Sequence, residues 1–415
     1  MKSPAGFGTA SQGLLANKGL TKLKISLINE SLLDGLNIVT SVLSTRTTMD
    51  ILEGVLLRAE VGGVRLFATN LEMSVDTGLI TAEVEEEGHV VLDGRTLHDI
   101  ARKLPNEAGL SISLEAGFVV TIESGRSKFN LVGMDPIQYP TLPNMEEEGV
   151  FELPLNTFKW LLRQTLYAAA QQDTGRPILT GALLEQAQDG CNQLRIVALD
   201  GVRMAYTASN VGEVGEDNLK VVIPKQALNE VLRISGLFGK DEEEGGTIRL
   251  ISGKHHCVFE IGSVQIMTRV LEGDFIDYQK IFGAEQNIIA RLNRTDLLSA
   301  LERVSLISAK DTKKGPIRLV INDEYTMSLH ASSAIGRAHE VVNIEELELS
   351  GQAESSLEIG FNPVFLIGAL KTLGSDEVVM SFNSPLSPSI IRPARSSETE
   401  ESISMHLVLP VRIEA

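Results

Sequence analysis

The stretch INESLLDGLNIV, residues 28–39, decides the fold because its pattern returns twice further along the chain. An apolar residue and an asparagine precede apolar residues at helical spacing, which is typical of a capped amphipathic helix. The same order recurs in LNTFKWLLRQTL (155–166) and LNRTDLLSALERV (292–304). We therefore expect three equivalent helices in three repeated units. Their expected caps are Asn29, Asn156 and Asn293.

A second repeated pattern, a short strand running directly into a helix, follows each copy of the first. Its copies are VVLDGRTLHDIARKLP (90–105), VVIPKQALNEVLRISG (221–236) and LEIGFNPVFLIGALKTLG (357–374). Between the helices lie alternating segments, which predict half-buried strands. Examples are VRLFATN (64–70), LRIVALD (194–200) and YTMSLHA (325–331). Each unit is therefore predicted to be α+β, with two helices plus antiparallel sheets, repeated three times.

The spacing of these patterns divides the chain into repeats of about 130 residues. LPNMEEEG (142–149) and GAEQN (283–287) carry turn residues and little apolar content, so we place the joints there. The expected division is a leader or appended extension at 1–22, followed by domains at 23–146, 147–284 and 285–415.

Composition narrows the class of protein. The 415 residues are 43% hydrophobic and contain two cysteines, Cys191 and Cys257, which is too few for a disulfide framework. No run approaches the length of about 18 apolar residues that a membrane-spanning helix needs. We therefore expect a cytoplasmic protein.

The distribution of charge is uneven. The whole chain carries −18, whereas the six predicted helices together carry +5. These helices are predicted at 31–46, 96–103, 156–164, 225–233, 294–303 and 363–371. One interpretation is that a few Lys and Arg residues simply solvate the outer helix faces. The other is that the repeated helices share one face that meets a polyanion without reading its sequence.

Ten motifs in order on this threefold repeat resemble the bacterial β sliding clamp, the processivity factor of the replicative DNA polymerase (DNA polymerase III beta subunit). The motifs include KISLINESLL (24–33), SGRSKFNL (124–131), TGRPILTG (174–181), ALDGVRMA (198–205), SPLSPSIIRP (384–393) and HLVLPVRI (406–413). The resemblance implies a head-to-tail homodimeric ring around double-stranded DNA, with the helices lining the hole. It also implies a non-catalytic protein without a cofactor, which tethers the polymerase catalytic subunit, the clamp loader and other proteins that carry a clamp-binding motif.

The resemblance further implies a groove for partner peptides between the second and third domains. An apolar groove with a few cationic edges suits an extended peptide that carries Leu and Phe anchors. The residues implied are Arg176, Leu179, Leu199, Gly201, Val202, Arg203, Met204, Ile276, Lys280, Ile281, Asn362, Phe365, Leu386, Pro388, Leu407, Leu409, Pro410, Val411 and Arg412. Ile276 replaces a proline that the family often has, and Val202 stands where a polar or aromatic residue can occur.

Two further sets complete what the resemblance implies. The ring contact would join Phe129 to Leu306 and Ile307 of a second subunit, with Arg126 and Lys128 facing acidic residues across it. The cations expected to face DNA are Arg46, Arg95, Arg102, Lys103, Arg163, Lys225 and Arg233.

An enzyme is the competing hypothesis. No G-x-S-x-G, H-E-x-x-H, Walker or dinucleotide motif occurs in the chain. His255, His256 and Cys257 are adjacent, but neighbours on a strand point to opposite faces and cannot all meet one metal ion. Asp200 could act as a general base, yet Asp-Gly is favoured at turns for backbone reasons alone, so we expect it to shape a turn. A scaffold without a DNA role is the third alternative.

Overall fold

A computed structural model describes most of the chain. The described residues are 22–44, 47–141, 143, 145–173, 175–187, 192–212, 218–238, 246–282, 286–308, 315–322, 324–350, 356–394 and 402–413. The expected leader therefore lies outside the described residues, except for Lys22, and so does Arg46. The chain forms two compact units, one of Met1–Leu155, Gly215–Asp217 and Asn229–Val270, and the other of Asn156–Val214, Asn218–Leu228 and Leu271–Ala415.

Helices occur where the two repeated patterns place them, with one short addition. The α-helices in the described part of the chain are α1 (Asn29–Val39), α2 (Gly94–Lys103), α3 (Leu155–Thr165), α4 (Lys225–Ser235), α5 (Gln279–Phe282), α6 (Arg294–Ser308) and α7 (Pro363–Thr372). Short 3-10 turns are Thr40–Val42, Asp50–Glu53, Ala116–Phe118, Pro136–Gln138, Leu166–Ala168 and Pro177–Thr180.

Strands make up most of the remaining regular structure. They are β1 (Leu23–Ile28), β2 (Gly54–Glu60), β3 (Gly63–Thr69), β4 (Met73–Asp76), β5 (Ile80–Thr81), β6 (Glu83–Glu86), β7 (Gly88–Asp93), β8 (Gly109–Leu114), β9 (Val119–Ser124), β10 (Ser127–Val132), β11 (Glu147–Pro154), β12 (Gly181–Gln186), β13 (Gln193–Leu199), β14 (Arg203–Asn210), β15 (Lys220–Pro224), β16 (Thr247–Gly253), β17 (His256–Ile261), β18 (Val264–Arg269), β19 (Ile288–Asn293), β20 (Ile317–Ile321), β21 (Thr326–Ser333), β22 (Gly336–Asn343), β23 (Glu346–Leu349), β24 (Leu357–Phe361), β25 (Glu377–Phe382), β26 (Ser389–Pro393) and β27 (Ile403–Val408).

The first unit contains two antiparallel sheets. One has the order β10-β9-β8-β1-β6, so β10 is an edge strand. The other has the order β11-β16-β17-β18-β4-β3-β2-β7, with β5 paired to β3. Direct pairing of β18 with β4, which places Ile266 opposite Val75, joins strands of the first two repeats into one sheet.

The second unit repeats this arrangement. Its larger sheet has the order β15-β12-β13-β14-β27-β26-β25-β19-β23, and its smaller sheet has the order β22-β21-β20-β24, so β22 is an edge strand. Here β14 pairs with β27, with Met204 opposite Leu407, and joins strands of the second and third repeats. Helices α6 and α7 bury Leu297, Leu301 and Leu366 in the core of this unit.

The strand-to-helix pattern is confirmed in all three repeats. Strand β7 ends at Asp93, whose side chain accepts a hydrogen bond from the Thr96 amide at 2.7 Å and caps α2. Asn362 caps α7 in the same way through the Val364 amide at 3.1 Å. Strand β15 runs directly into α4. The α+β prediction is therefore confirmed.

Of the three asparagines predicted to cap helices, all of which the structure describes, only Asn293 has a side chain that caps its own helix. Asn293 accepts a hydrogen bond from the Asp296 amide at 3.1 Å and caps α6 as predicted. The prediction for Asn29 is wrong, because this residue lies inside α1 and is completely buried. Its amide donates to the carbonyls of Ala101 at 2.8 Å and Leu104 at 3.3 Å, which satisfies the end of α2. Asn156 lies inside α3, which begins one residue earlier.

The first helix also ends sooner than its pattern predicts. We expected helix over 31–46, whereas α1 ends at Val39 and a 3-10 turn follows. Thr40 and Ser41 donate from their hydroxyls to the carbonyls of Leu36 and Ile38, at 2.8 Å and 3.2 Å. Such side-chain bonds compete with the backbone hydrogen bonds of the helix and are typical of helix ends. None of the helices in the described ranges is long and apolar enough to span a membrane.

Candidate functional site

An apolar cluster covers one face of the larger sheet in the second unit, around the β14–β27 pair. Six predicted groove residues belong to it: Leu179, Leu199, Met204, Ile281, Leu407 and Leu409. Residues that we did not predict complete it, among them Ile178, Tyr206, Phe275, Tyr278, Phe282 and Ile390. The sheet thus brings together side chains that are more than 200 residues apart in the sequence.

The Asp-Gly corner of ALDGVRMA (198–205) forms the turn between β13 and β14. One oxygen of Asp200 accepts hydrogen bonds from the amides of Val202 and Arg203, each at 3.1 Å. Gly201 has a φ of +93°, a left-handed conformation that favours glycine. The prediction that Asp200 shapes a turn is confirmed.

Arg203 is held on three sides. Its Nε donates to Asp200 Oδ2 at 2.8 Å. Its Cζ lies 5.3 Å from the centre of the Tyr167 ring and 5.0 Å from the centre of the Phe365 ring. Guanidinium groups stack favourably on aromatic faces, so the two rings and the carboxylate fix one orientation. Gly368 makes room, since a Cβ there would lie only 3.2 Å from the Tyr167 ring.

Tyr167 is itself fixed by a chain of buried hydrogen bonds. Its hydroxyl lies 3.0 Å from His406 Nδ1, and His406 Nε2 lies 2.9 Å from Ser404 Oγ. Ser404 donates to Gln164 at 3.4 Å, and Gln164 donates to the carbonyl of Thr372. If the His406 imidazole carries its hydrogen on Nε2, it donates to Ser404 and accepts from the Tyr167 hydroxyl, so every hydrogen bond in the chain has one donor and one acceptor. Burial lowers the pKa of His406 to about 3, so the imidazole is neutral.

The C-terminal tail forms the next wall. After β27 ends at Val408, the amide of Leu409 donates to the Val202 carbonyl at 2.9 Å. The amide of Val411 donates to the Gly360 carbonyl, also at 2.9 Å. A Cβ on Gly360 would lie 2.6 Å from the Val411 carbonyl oxygen, so the tail crosses β24 closely. The tail is therefore anchored at two points by its backbone.

The segment before α6 forms the opposite rim. Tyr278 donates to Glu185 at 2.6 Å, while its ring lies 5.6 Å from that of Tyr206. Burial and the bond to Glu185 both raise the pKa of Tyr278. These contacts anchor the segment that carries Ile276 and Lys280 on the sheet, where both side chains are exposed.

The remaining predicted groove residues lie at its margins. Pro388 precedes β26, whose first residue, Ser389, pairs with Val408, so Pro388 stands beside Leu409. Leu386 is 73% exposed. Arg176, Pro410 and Arg412 are partly or fully exposed around the apolar cluster. An exposed apolar rim with cationic edges around a packed floor can bind a short peptide with apolar anchors.

A polar cleft of about 840 Å³ lies elsewhere in the second unit, along α3 and the end of α7. Its lining includes three cations, Lys159, Arg163 and Lys371, and the only tryptophan of the chain, Trp160. Its lining includes no carboxylate, although Lys371 also pairs with Glu302 at 2.7 Å. The cleft is suited to an anionic group, and only Arg163 of this set was predicted.

The other cations expected to face DNA differ in their surroundings. Lys103 is exposed, and Arg102 is exposed beside Asp99 at 2.9 Å. Arg233 instead donates to the Ile38 carbonyl at 2.8 Å and forms an ion pair with Glu230. It therefore holds α4 against α1. Sequence spacing could have indicated the pair with Glu230, three residues away on the same helix, but not the bond to Ile38.

Lys225 is likewise engaged inside the second unit. Its amine donates to the Ala169 carbonyl at 3.3 Å. Burial, and then the positive charge of Arg203, lower the pKa of Lys225. In the first unit, Arg95 makes a long contact of 3.5 Å with the Ser44 carbonyl and is exposed.

The residues of the predicted ring contact lie on β10 and the turn before it in the first unit, and on α6 in the second unit. Phe129 is half-buried on edge strand β10, and Arg126 and Lys128, which precede it in the chain, are exposed. Lys128 pairs with Glu123 of the adjacent strand at 2.8 Å. In the second unit, Leu306 is 69% exposed on α6, and Ile307 packs partly against the core.

The His255-His256-Cys257 stretch has the expected strand geometry. Cys257 is buried in β17, where burial raises the pKa of its thiol to about 12, while His256 is partly exposed. Within the described ranges, no three His, Cys, Asp or Glu side chains are grouped so that they could hold a metal ion.

Comparison with known proteins accounts for this arrangement. Three family models match the chain in order: the N-terminal domain of the DNA polymerase III beta subunit at 23–143, its central domain at 152–277 and its C-terminal domain at 279–410. The chain belongs to the DNA polymerase III beta-subunit family. The predicted threefold repeat of clamp domains is therefore confirmed, while the proposed domain boundaries stay predictions.

Individual relatives agree with the family models. The chain is 30% identical to the beta sliding clamp of Staphylococcus epidermidis over 399 residues, which cover 94% of this chain and 99% of that protein. It is 33% identical to the beta sliding clamp of Halalkalibacterium halodurans, over 91% and 96% of the two chains. The crystal structure of the Bacillus subtilis DNA polymerase sliding clamp superimposes with a TM-score of 0.84, at 26% identity, over 94% of this chain and all of that one.

The motifs predicted many residues in and around this apolar cluster, but two residues that support it were missed. Tyr167 and His406 are absent from the predicted set, although both contribute to the contacts that fix Arg203. His406 carried a signal, because it occupies a core-facing position of β27 together with Ser404 and Val408. A histidine on the buried face of a strand indicates a polar network that needs partners.

Proposed function

We propose that this beta-subunit family member is a DNA sliding clamp. It encircles duplex DNA as a head-to-tail homodimer and tethers the replicative polymerase and other proteins through the groove. It works without catalysis or cofactor and acts in the cytoplasm, where bacterial DNA is replicated. Binding is topological and therefore independent of DNA sequence.

The observation that carries the proposal is that the predicted ring-contact residues lie on two unlike surfaces of one chain. Among the described strands, β10 is one edge of the smaller sheet in the first unit, and β22, against which α6 packs, is one edge of the smaller sheet in the second unit. Two unlike edges support a heterologous, head-to-tail contact, which closes into a ring when the rotation between subunits allows it. Phe129 on β10 and the exposed Leu306 on α6 supply apolar surface for that contact.

A ring contact of this kind predicts the effect of a charge at Phe129. We expect F129D to raise the dimer dissociation constant about 30-fold, since burying an unpaired carboxylate costs about 2 kcal/mol or more. Sedimentation or light scattering over a dilution series measures the change. N130D is the matched control, because it adds the same charge on the exposed face of β10. Equal dissociation of the two variants would contradict the assigned contact.

The polyanion interpretation of the helix charges is supported by the cleft along α3 and α7. Lys159, Arg163 and Lys371 concentrate positive charge on two helices of an acidic chain. Phosphate contacts of this type position DNA without reading bases, which allows sliding. The apolar groove with its cationic edges supports binding of partner peptides that carry Leu and Phe anchors.

Retention on circular DNA tests the clamp function most directly. We expect protein loaded onto a nicked circle by a bacterial clamp loader to stay bound in high salt, because a closed ring does not depend on phosphate contacts. Cutting the circle once should release it, since the ring then slides off an end. Gel filtration of labelled protein with the DNA measures both. Release from intact circles, or retention on linear DNA, would contradict the proposal.

A further inference from the structure

We propose that Tyr167 and His406 are positioning residues of the peptide groove, which hold the Arg203 guanidinium so that its Nη groups donate to a carbonyl or carboxylate oxygen of the bound peptide. The inference rests on the proposed function of the groove and deepens it. Neither residue is among those that the family resemblance places in the groove wall.

Arg203 needs support because a free arginine side chain carries about 2 kcal/mol of rotamer entropy, which binding would have to overcome. Here the ion pair with Asp200 and the rings of Tyr167 and Phe365 remove that freedom in advance. Only 12% of the Arg203 side chain is exposed, and its Nη groups form no hydrogen bond with the described residues. The group is therefore preorganised, with its donors still available to a ligand.

Tyr167 can perform this role because its own ring cannot turn freely. Its hydroxyl is bonded to His406, which is completely buried and bonded in turn to Ser404. Gly368 of α7 faces the ring, where a Cβ would lie 3.2 Å and 3.4 Å from two ring carbons. A fully satisfied buried network of this kind rigidifies its members.

A purely structural role for Tyr167 predicts a different outcome from a positioning role. If the ring only fills the core, its loss disturbs the groove in general and adds to the effect of any groove substitution. If the ring acts through Arg203, its loss has no further effect once Arg203 is gone. A double-mutant cycle separates these two cases.

The probe is a fluorescein-labelled peptide containing Gln-Leu-Ser-Leu-Phe, titrated by anisotropy into the full-length protein. We expect R203A and Y167L each to weaken binding about tenfold, and Y167L/R203A to be within about twofold of R203A. Y167L/L409A should instead show the product of its two single effects. Y167F keeps the ring but loses the hydroxyl bonded to His406, so it should weaken binding about threefold, less than Y167L does. G368A, which presses a methyl group against the ring, should reproduce the loss if Y167L does not fold.

Each outcome has a defined meaning. Unchanged binding by Y167L, or independent effects of Y167L and R203A, overturns the inference and leaves the proposed groove intact. A Y167F variant that binds as tightly as the unchanged protein overturns the role of His406, because that variant loses only the hydroxyl bonded to His406. If the unmodified protein binds no peptide, the proposed function of the groove falls together with the inference.

Discussion

A chain that ends at Val408 loses peptide binding and keeps its dimer. We expect deletion of residues 409–415 to weaken binding of the Gln-Leu-Ser-Leu-Phe peptide about 100-fold or more. The reason is that Leu409 belongs to the apolar cluster and that the tail is fixed across the groove by the amides of Leu409 and Val411. Loss of several central anchors removes most of the binding energy of such an interface.

The fold should survive this deletion because β27 keeps its pairing with β14 and β26. Anisotropy titration measures peptide affinity, and light scattering checks the dimer. V61A is the control, since Val61 is 85% exposed in the first unit and lies outside the groove. Full affinity in the truncated protein would show that the groove is misplaced. Equal loss in V61A would show that the assay reports general instability.

Acid destabilises the second unit through His406. Burial lowers the pKa of the folded-state imidazole to about 3, whereas an unfolded histidine titrates near 6.5. Below about pH 6.5 only the unfolded state takes up the proton, so stability that is present at neutral pH is lost as pH falls. The loss is about 1.4 kcal/mol per pH unit, or about 2 kcal/mol between pH 6.5 and pH 5.

The variant H406Q removes this titration while keeping a donor and an acceptor at the position. When the pH is lowered from 7.5 to 5.0, we expect the thermal midpoint of the unmodified protein to fall about 4–8 °C further than that of H406Q. Calorimetry of both proteins at the two pH values measures the difference. H98Q serves as the control, because His98 lies on α2 of the first unit, outside the network of Tyr167 and His406. Identical pH dependence in H406Q and the unmodified protein would contradict a neutral, buried His406.

Local patterns predicted the elements well because hydrophobic periodicity reports which face of a helix or strand is buried. The strand-to-helix units at β7–α2, β15–α4 and β24–α7 follow directly from it. Capping was less predictable, since an asparagine side chain can bond its own helix or a distant carbonyl. Asn293 does the first, and Asn29 does the second because the end of α2 lies against it.

The sequence predicted the residues that line the candidate site, but not the residues that hold Arg203 in place. Leu199, Met204, Leu407 and Leu409 could be named from motifs, since each belongs to a recognisable stretch. The stack of Arg203 between two rings could not, because Tyr167 and Phe365 approach only through the pairing of β14 with β27 and the packing of α7. The family resemblance likewise marked Arg233 as DNA-facing without indicating its partners Glu230 and Ile38.

The sequence by itself determined the threefold repeat, the α+β class, the Asp-Gly corner and the motifs that place the chain in its family. These follow from periodicity and turn chemistry, which are local properties of the backbone. Only the tertiary structure decided which cations are engaged internally, which strand edges stay open and how Arg203 is held. Those features depend on contacts between residues far apart in the chain, such as Tyr167 and His406, and local sequence carries no measure of such distances.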